Sequence, residues 1–306
     1  MTAIIDLIAD SRCHLGEAPV WSQRSGRLYW LDIGLPTRLF SWEFDSRCVS
    51  VWTLSELATG LALSDKDELI LVSASAISIF DPSKDGLLRT LVTPPFSMQG
   101  IRFNDCGCDA LGRLWTGTMV NDFLAPERQC LPEASGKLLC VDTDFSCRVT
   151  RAGFGCPNTF VWSPDGRTLY TADSAAGCLY SYAYEPGTGH IANPVVFDGS
   201  SDLGIPDGSA MDVEGCLWNA RWGAGCVARF TPAGRLVEVV RLPADLVTSC
   251  AFGGQGLGTL FVTSARMSLS SPGLERQPQA GGVFAFRPRV PGASAGAFRT
   301  PTQAFP

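Results

Sequence analysis

The sequence predicts an all-β fold, a six-bladed propeller of four-stranded antiparallel blades closed by an N-terminal strand. Three observations predict it. A turn followed by an apolar strand recurs six times, a second and shorter strand follows each copy, and a polar side chain returns at a fixed distance before the first phrase. The leucines that anchor the first phrase, Leu28, Leu69, Leu114, Leu169, Leu217 and Leu260, lie 41 to 55 residues apart. Four-stranded propeller blades have about that length.

In chain order, AIIDLIAD comes first and reads as a strand with no partner in the first repeat. Blade one follows as APVWS, RLYWLDI, RLFSWEF and VSVWTL. The turn-plus-strand phrase then returns as DELILVS at Asp67, GRLWTGT at Gly112, GRTLYTA at Gly166, GCLWNAR at Gly215 and GTLFVTS at Gly258. Its companion returns as ISIFDPS, LLCVDTD, LYSYAYE, VARFTPA and VFAFRPR. Blade four, read out in full, is TFVWS, TLYTADS, CLYSYAY and NPVVFD. Apolar and polar residues alternate in SYAYE and SVWTL, as half-buried strands require. The innermost strands are shorter and more apolar, which fits burial on both faces. Most tryptophans recur at matching strand positions and are read as blade-packing residues; Trp222, in ARWGAG, is read the same way in preference to a place at the mouth.

The sixth repeat lacks its last strand. Pairing the N-terminal segment (residues 1–10) with it closes the ring and removes an exposed edge. The repeats run on without a linker, so residues 1–288 are read as one domain. Residues 289–306 are rich in Pro, Gly and Ala and are expected to form a loose tail. Two insertions, near 120–136 and 265–281, fall between the second and third strands of their blades. That places them at the end where the innermost strands begin, rimming a mouth.

Composition narrows the function. The chain of 306 residues carries 32 glycines and 20 prolines, which suits many short strands joined by tight turns. Its formal charge of −6 comes with no basic run, which disfavours nucleic-acid binding. No apolar run approaches a transmembrane span, and the N-terminus lacks the pattern of a secretory signal. The 12 cysteines are therefore expected to be reduced, mostly small buried residues of a cytoplasmic protein with no obligate protein partner. The only histidines are His14 and His190, and there is no HExxH or G-x-S-x-G motif.

Ten or eleven residues before each anchoring leucine stand Glu17, the Ala58–Thr59 pair, Asn104, Asn158, Asp207 and Ser249. Taken singly, each reads as a turn residue, and Pro206-Asp207-Gly208 is a strong turn signal. The shared register changes that reading, because equivalent positions in a propeller ring its central channel. Two carboxylates brought together there repel unless a cation or proton intervenes. Oxygen donors from Glu17, Asn158 and Asp207 suit Ca²⁺, Mg²⁺, Mn²⁺ or Zn²⁺ and leave coordination positions open for water and substrate.

LGEAPVW, RFNDCGCDALGRLWTGTM, PNTFVWSPDGRTLYTADS, IPDGSAMDVEGCLWNARWGAGCVARFTPAG and LPADLVTSCAFGG closely resemble the gluconolactonase, regucalcin and senescence-marker-protein family. The likeness spans roughly Leu15 to Phe286. It implies a six-bladed propeller with one divalent metal ion in the channel (iron joins the four ions above as a candidate) and hydrolysis of a sugar lactone to its aldonic acid. Carried over by motif, Glu17, Asn158 and Asp207 would be metal ligands, and Asp207 would also serve as general base. Arg102, Asn104 and Asp122 would bind substrate. The family also implies two alternatives: a non-enzymatic calcium-binding regulatory protein, or a metal-dependent hydrolase of another lactone or ester. The chain departs from the family where Ala18 and Thr159 stand at positions commonly held by glycine, and where Asp122 replaces a glutamate.

Overall fold

The structure is a computed structural model and describes residues 3–82, 87–121, 123, 134–200 and 202–300. Strand β1 (Asp6–Ala9) precedes the first blade. Blade 1 holds β2 (Gly16–Ser22), β3 (Arg27–Asp32), β4 (Arg38–Glu43) and β5 (Val49–Thr53). Blade 2 holds β6 (Ala58–Leu63), β7 (Leu69–Ser73), β8 (Ile77–Asp81) and β9 (Leu87–Val92). Blade 3 holds β10 (Ile101–Cys108), β11 (Leu114–Val120), β12 (Gly136–Val141) and β13 (Cys147–Phe154). Blade 4 holds β14 (Pro157–Trp162), β15 (Thr168–Asp173), β16 (Cys178–Glu185) and β17 (His190–Asp198). Blade 5 holds β18 (Ile205–Met211), β19 (Leu217–Trp222), β20 (Cys226–Phe230) and β21 (Leu236–Arg241). Blade 6 holds β22 (Val247–Gly253), β23 (Thr259–Ser264) and β24 (Val283–Phe286).

Each blade is a four-stranded antiparallel sheet in sequential order, except that blade 6 takes β1 as its outer strand. Asp6 pairs with Ala285, Leu7 with Phe284 and Ala9 with Val283, so the N-terminal strand closes the ring. The predicted propeller and its closure are both present.

Apolar side chains from neighbouring blades meet between them. Trp30 and Phe40 stack with ring centroids 5.2 Å apart and pack with Phe261 between blades 6 and 1. Trp115 and Tyr182 fill the junction of blades 3 and 4, and Trp218, Phe252 and Phe284 that of blades 5 and 6. Burying a large aromatic side chain contributes about 2 kcal/mol. Every junction therefore draws on the tryptophan and leucine repeats that mark the blades in the sequence. The described cysteines are all free thiols, and Cys13, Cys108, Cys140, Cys216, Cys226 and Cys250 are buried in the strands and turns. Among the described residues no helix is long and apolar enough to cross a membrane.

The C-terminal tail departs from expectation, because as far as Thr300 it is fastened across the end of the channel opposite the mouth. Gly292 N–H donates to Leu257 O and Ala293 N–H to Met211 O. Phe298 N–H donates to Leu63 O, and Arg299 N–H to Gly112 O. The strap thus runs from blades 5 and 6 to blades 2 and 3, where Phe298 is fully buried. Its small residues, which read as looseness, are what close packing needs. A Cβ on Gly296 would lie 2.2 Å from Cys108 O, and one on Gly292 would lie 2.1 Å from the Phe252 ring.

The second insertion forms a short helix, α1 (Ser271–Arg276), capped by Ser270, whose hydroxyl accepts from Gly273 N–H. Most of the first insertion lies outside the described residues; Phe123, at its start, is described.

Candidate functional site

All six innermost strands share one irregularity. Pairing with the second strand slips between Glu17 and Val20, Ala58 and Gly60, Phe103 and Cys106, Asn158 and Val161, Pro206 and Ser209, and Val247 and Ser249. A bulge bends its strand and re-aims a side chain out of the ladder. The fixed spacing noted in the sequence is therefore a spacing of bulges, at the mouth end of every blade.

In two blades the bulge takes a residue without glycine's freedom into the left-handed region, Ala18 at φ 50° and Thr159 at φ 61°. A β-branched residue is strained there by roughly 1–2 kcal/mol. At Thr159 three hydrogen bonds hold the conformation. Its N–H donates to Asp105 Oδ2 at 2.8 Å, its hydroxyl donates to Asp207 O at 2.6 Å, and the same hydroxyl lies 2.8 Å from Ser209 Oγ.

Hydrogen bonds run from blade to blade around the channel at this level. Thr59 Oγ1 donates to Asn104 O at 3.2 Å. Asn104 Nδ2 donates to Asn158 Oδ1 at 2.7 Å and to Pro157 O at 3.0 Å. Asn158 Nδ2 donates to Ser174 Oγ at 2.8 Å, and that hydroxyl donates to Pro206 O at 2.7 Å. Arg102 Nη1 donates to Asn104 Oδ1 at 2.7 Å, while its guanidinium lies 5.3 Å from the centre of the Phe123 ring.

These side chains border a cavity of about 250 Å³. Glu17, Thr59, Arg102, Asn104, Asn158 and Asp207 all line it. Ala58 and Ser249 do not; a Cβ on Gly208 would lie 2.0 Å from Ser249 Oγ, which places Ser249 behind the Asp207 bulge. Asp122 lies outside the described residues. Trp222, read from the sequence as blade packing, borders the cavity instead, because it ends β19 at the mouth, paired with Ile205. Met267 and Phe123 bring the two insertions to the same opening.

The carboxylates are held in an environment that disfavours their charge. Burial raises the Asp207 carboxyl well above the usual range, and the charges of Glu17 and Asp105 raise it further. Burial likewise raises Glu17, with Asp105 adding to the effect and the Ala18 N–H, 2.9 Å away, opposing it. Asp105 is pushed up to about 6 by burial, against two backbone N–H donors. Asp207 Oδ1 is buried with no hydrogen-bond partner among the described residues. An orphaned carboxylate oxygen beside a second acid is costly unless a cation or proton satisfies it. The oxygens of Glu17, Asn158 and Asp207 fit a hard or borderline divalent ion.

Asp105, Ser174 and Thr159 belong to the site although the sequence offers little to single them out. Asp105 reads as the second acid-or-amide of a turn, and Ser174 lies outside the repeated position. For Thr159 the one signal is that it follows Asn158 as Ala18 follows Glu17.

Residues 15–266 match the SMP-30/Gluconolactonase/LRE-like region. The chain is 34% identical over 284 residues to a 6-deoxy-6-sulfogluconolactonase of Pseudomonas putida, covering 92% of this chain and 93% of that one. It is 33% identical over 295 residues to an L-arabinolactonase of Azospirillum brasilense, covering 95% and 94%. The crystal structure of regucalcin, a calcium-binding protein from Agrobacterium tumefaciens, superposes with a TM-score of 0.89 at 28% identity over 98% of both chains. With the six bladed sheets and the ringed cavity in place, these matches establish that the chain belongs to the SMP-30/gluconolactonase/LRE-like family.

Proposed function

We propose that this chain hydrolyses a sugar lactone to the open aldonic acid, with one divalent ion (calcium, zinc, manganese, magnesium or iron) held by Glu17, Asn158 and Asp207. The observation that carries the reading is Asp207, a cavity-lining acid with a buried, unpartnered oxygen and a neighbouring acid that opposes its ionisation. The lactonase relatives support the reaction class. When bound, the ion would supply Lewis-acid polarisation of the lactone carbonyl.

The chain's own groups do the rest. Asp207 accepts the proton of the attacking water as general base. Arg102 and Asn104, already fixed to each other, orient the substrate's carbonyl and hydroxyls and so reduce the freedom lost on reaction. Water adds across the acyl C–O bond, the ring oxygen leaves and takes up a proton, and the aldonic acid is released.

The regucalcin likeness favours a second reading, calcium binding without turnover. One experiment separates the two. Metal-stripped protein is assayed on glucono-, galactono-, arabinono- and xylonolactone with each ion restored in turn, correcting for spontaneous opening. Ion-dependent turnover is the expected result. Tight stoichiometric binding with no turnover would sink the enzymatic reading, and turnover indifferent to chelation would sink the metal.

A further inference from the structure

The two sides of the cavity differ. Blade 3 presents Arg102, Asn104 and Asp105 together with the apolar Met119 and Phe123. Blade 6 stands opposite blade 3 in a six-bladed ring, and with its neighbours it presents Met267, Ile205, Trp222, Leu15 and Ile33. Apart from the Trp222 indole N–H, these five side chains offer only carbon and sulfur to a ligand. Ile205 and Trp222 are cross-strand partners, so they form one continuous patch. Ile205 is 41% exposed at the rim, where it adds little to the blade core. Glu17 and Asp207 are the charged side chains among the described residues that line this half of the cavity.

Resting on the lactonase reading above, we infer that the substrate is a lactone with hydroxyls along one edge and a deoxygenated, methyl-bearing edge opposite, a deoxy-aldonolactone rather than a fully hydroxylated one. A hydroxyl pressed against Ile205, Met267, Leu15 or Ile33 gives up its water and finds no partner on those side chains. A methyl group there loses nothing and buries apolar surface. Arg102 and Asn104 hold the hydroxylated edge, so the wall decides which face of the molecule can be bare. Ile205, Trp222 and Met267 are the specificity-determining residues.

The test compares ligands that differ by one oxygen. Turnover of L-fucono-1,4-lactone is measured against L-galactono-1,4-lactone by the full-length, metal-loaded protein. In parallel, binding of the non-hydrolysable 1,5-anhydro-L-fucitol is measured against 1,5-anhydro-L-galactitol by calorimetry. The deoxy member is expected to be preferred about tenfold in both, within the range by which an apolar pocket rejects an added hydroxyl. Ile205→Asn, checked for an unchanged melting temperature, should bring the preference down to about twofold.

Equal or reversed preference, absence of binding by either cyclic ether, or a preference untouched by Ile205→Asn overturns the inference. Binding preference without turnover of either lactone overturns the proposed reaction and leaves standing only the wall's selection of a ligand with a bare edge. Turnover of both lactones at equal efficiency does the reverse.

Discussion

Asp207 and Asp212 stand five residues apart in blade 5, both buried, and their surroundings are opposite. Asp212, at the turn leaving β18, is saturated. Its Oδ1 accepts from Glu214 N–H at 3.0 Å and Cys216 N–H at 2.9 Å, and its Oδ2 from Trp218 Nε1 at 3.0 Å and Arg229 Nε at 2.8 Å. Asp207, at the mouth, has one oxygen with no partner and two acids as neighbours. The contrast extends to the whole channel. The closed end has the strap, the buried Phe298 and Asp109 bonded to Arg113, while the open end has bulges and left-handed Ala18 and Thr159. The unpartnered carboxylate oxygen belongs to a residue that borders the cavity, where a ligand can satisfy it, and the opposite end supplies packed structure that holds the blades in place.

Exchanging the two aspartates in turn is the sharpest way to break this comparison. Asp207→Ala should lower kcat by about 10³-fold, while the chemical-denaturation midpoint of the metal-free protein stays level or rises. Asp212→Ala should destabilise by about 3 kcal/mol, since it leaves the buried Trp218 N–H and two backbone N–H groups without their acceptor and Arg229 with Glu214 alone, with kcat/KM of the folded fraction within threefold of the parent. Near-normal turnover by the Asp207 variant, or an Asp212 variant that is stable but inactive, would erase the distinction.

Phe298→Ala tests the strap. Removing a fully buried phenylalanine should cost about 3 kcal/mol in urea unfolding, again with little change in kcat/KM at 25 °C. A drop in activity as large as the drop in stability would mean that the two ends are not separable.

Thr159→Gly has the smallest expected effect. Relief of left-handed strain, roughly 1 kcal/mol, offsets the lost hydroxyl bonds, so stability should move by less than about 1 kcal/mol. Turnover should fall about tenfold as the Asp207 carbonyl is left with the bond from Asn219 Nδ2 alone, and Thr159→Ser should recover most of it. Equal activity in all three proteins would show that the hydroxyl does not position Asp207.

The contrast also explains what could be read in advance. The blades were legible because each is a local pattern of turn, anchoring leucine and alternating strand, repeated often enough to average out irregularity. The ring was legible because a repeated position must recur around one axis, which is how Glu17, Asn104, Asn158 and Asp207 came together at one cavity. Trp222 was misread because its register matches the packing tryptophans, whereas its place at the very end of β19 decides its exposure. The tail was misread because Gly and Ala report freedom in an open chain and close approach in a packed one.

By itself, then, the sequence determined the number of blades, their closure by β1 and that Glu17, Asn104, Asn158 and Asp207 share one level of the channel, all consequences of periodicity. Only the tertiary structure decided which buried acid is satisfied and which is not, where the strap lies and which side of the mouth is apolar. The reason is physical. IPDGSAMDVEG presents two similar turn aspartates, and what separates them is the company each keeps. Arg229 and Trp218 come to Asp212, and Glu17 comes to Asp207 from the first blade, through contacts that no local pattern encodes.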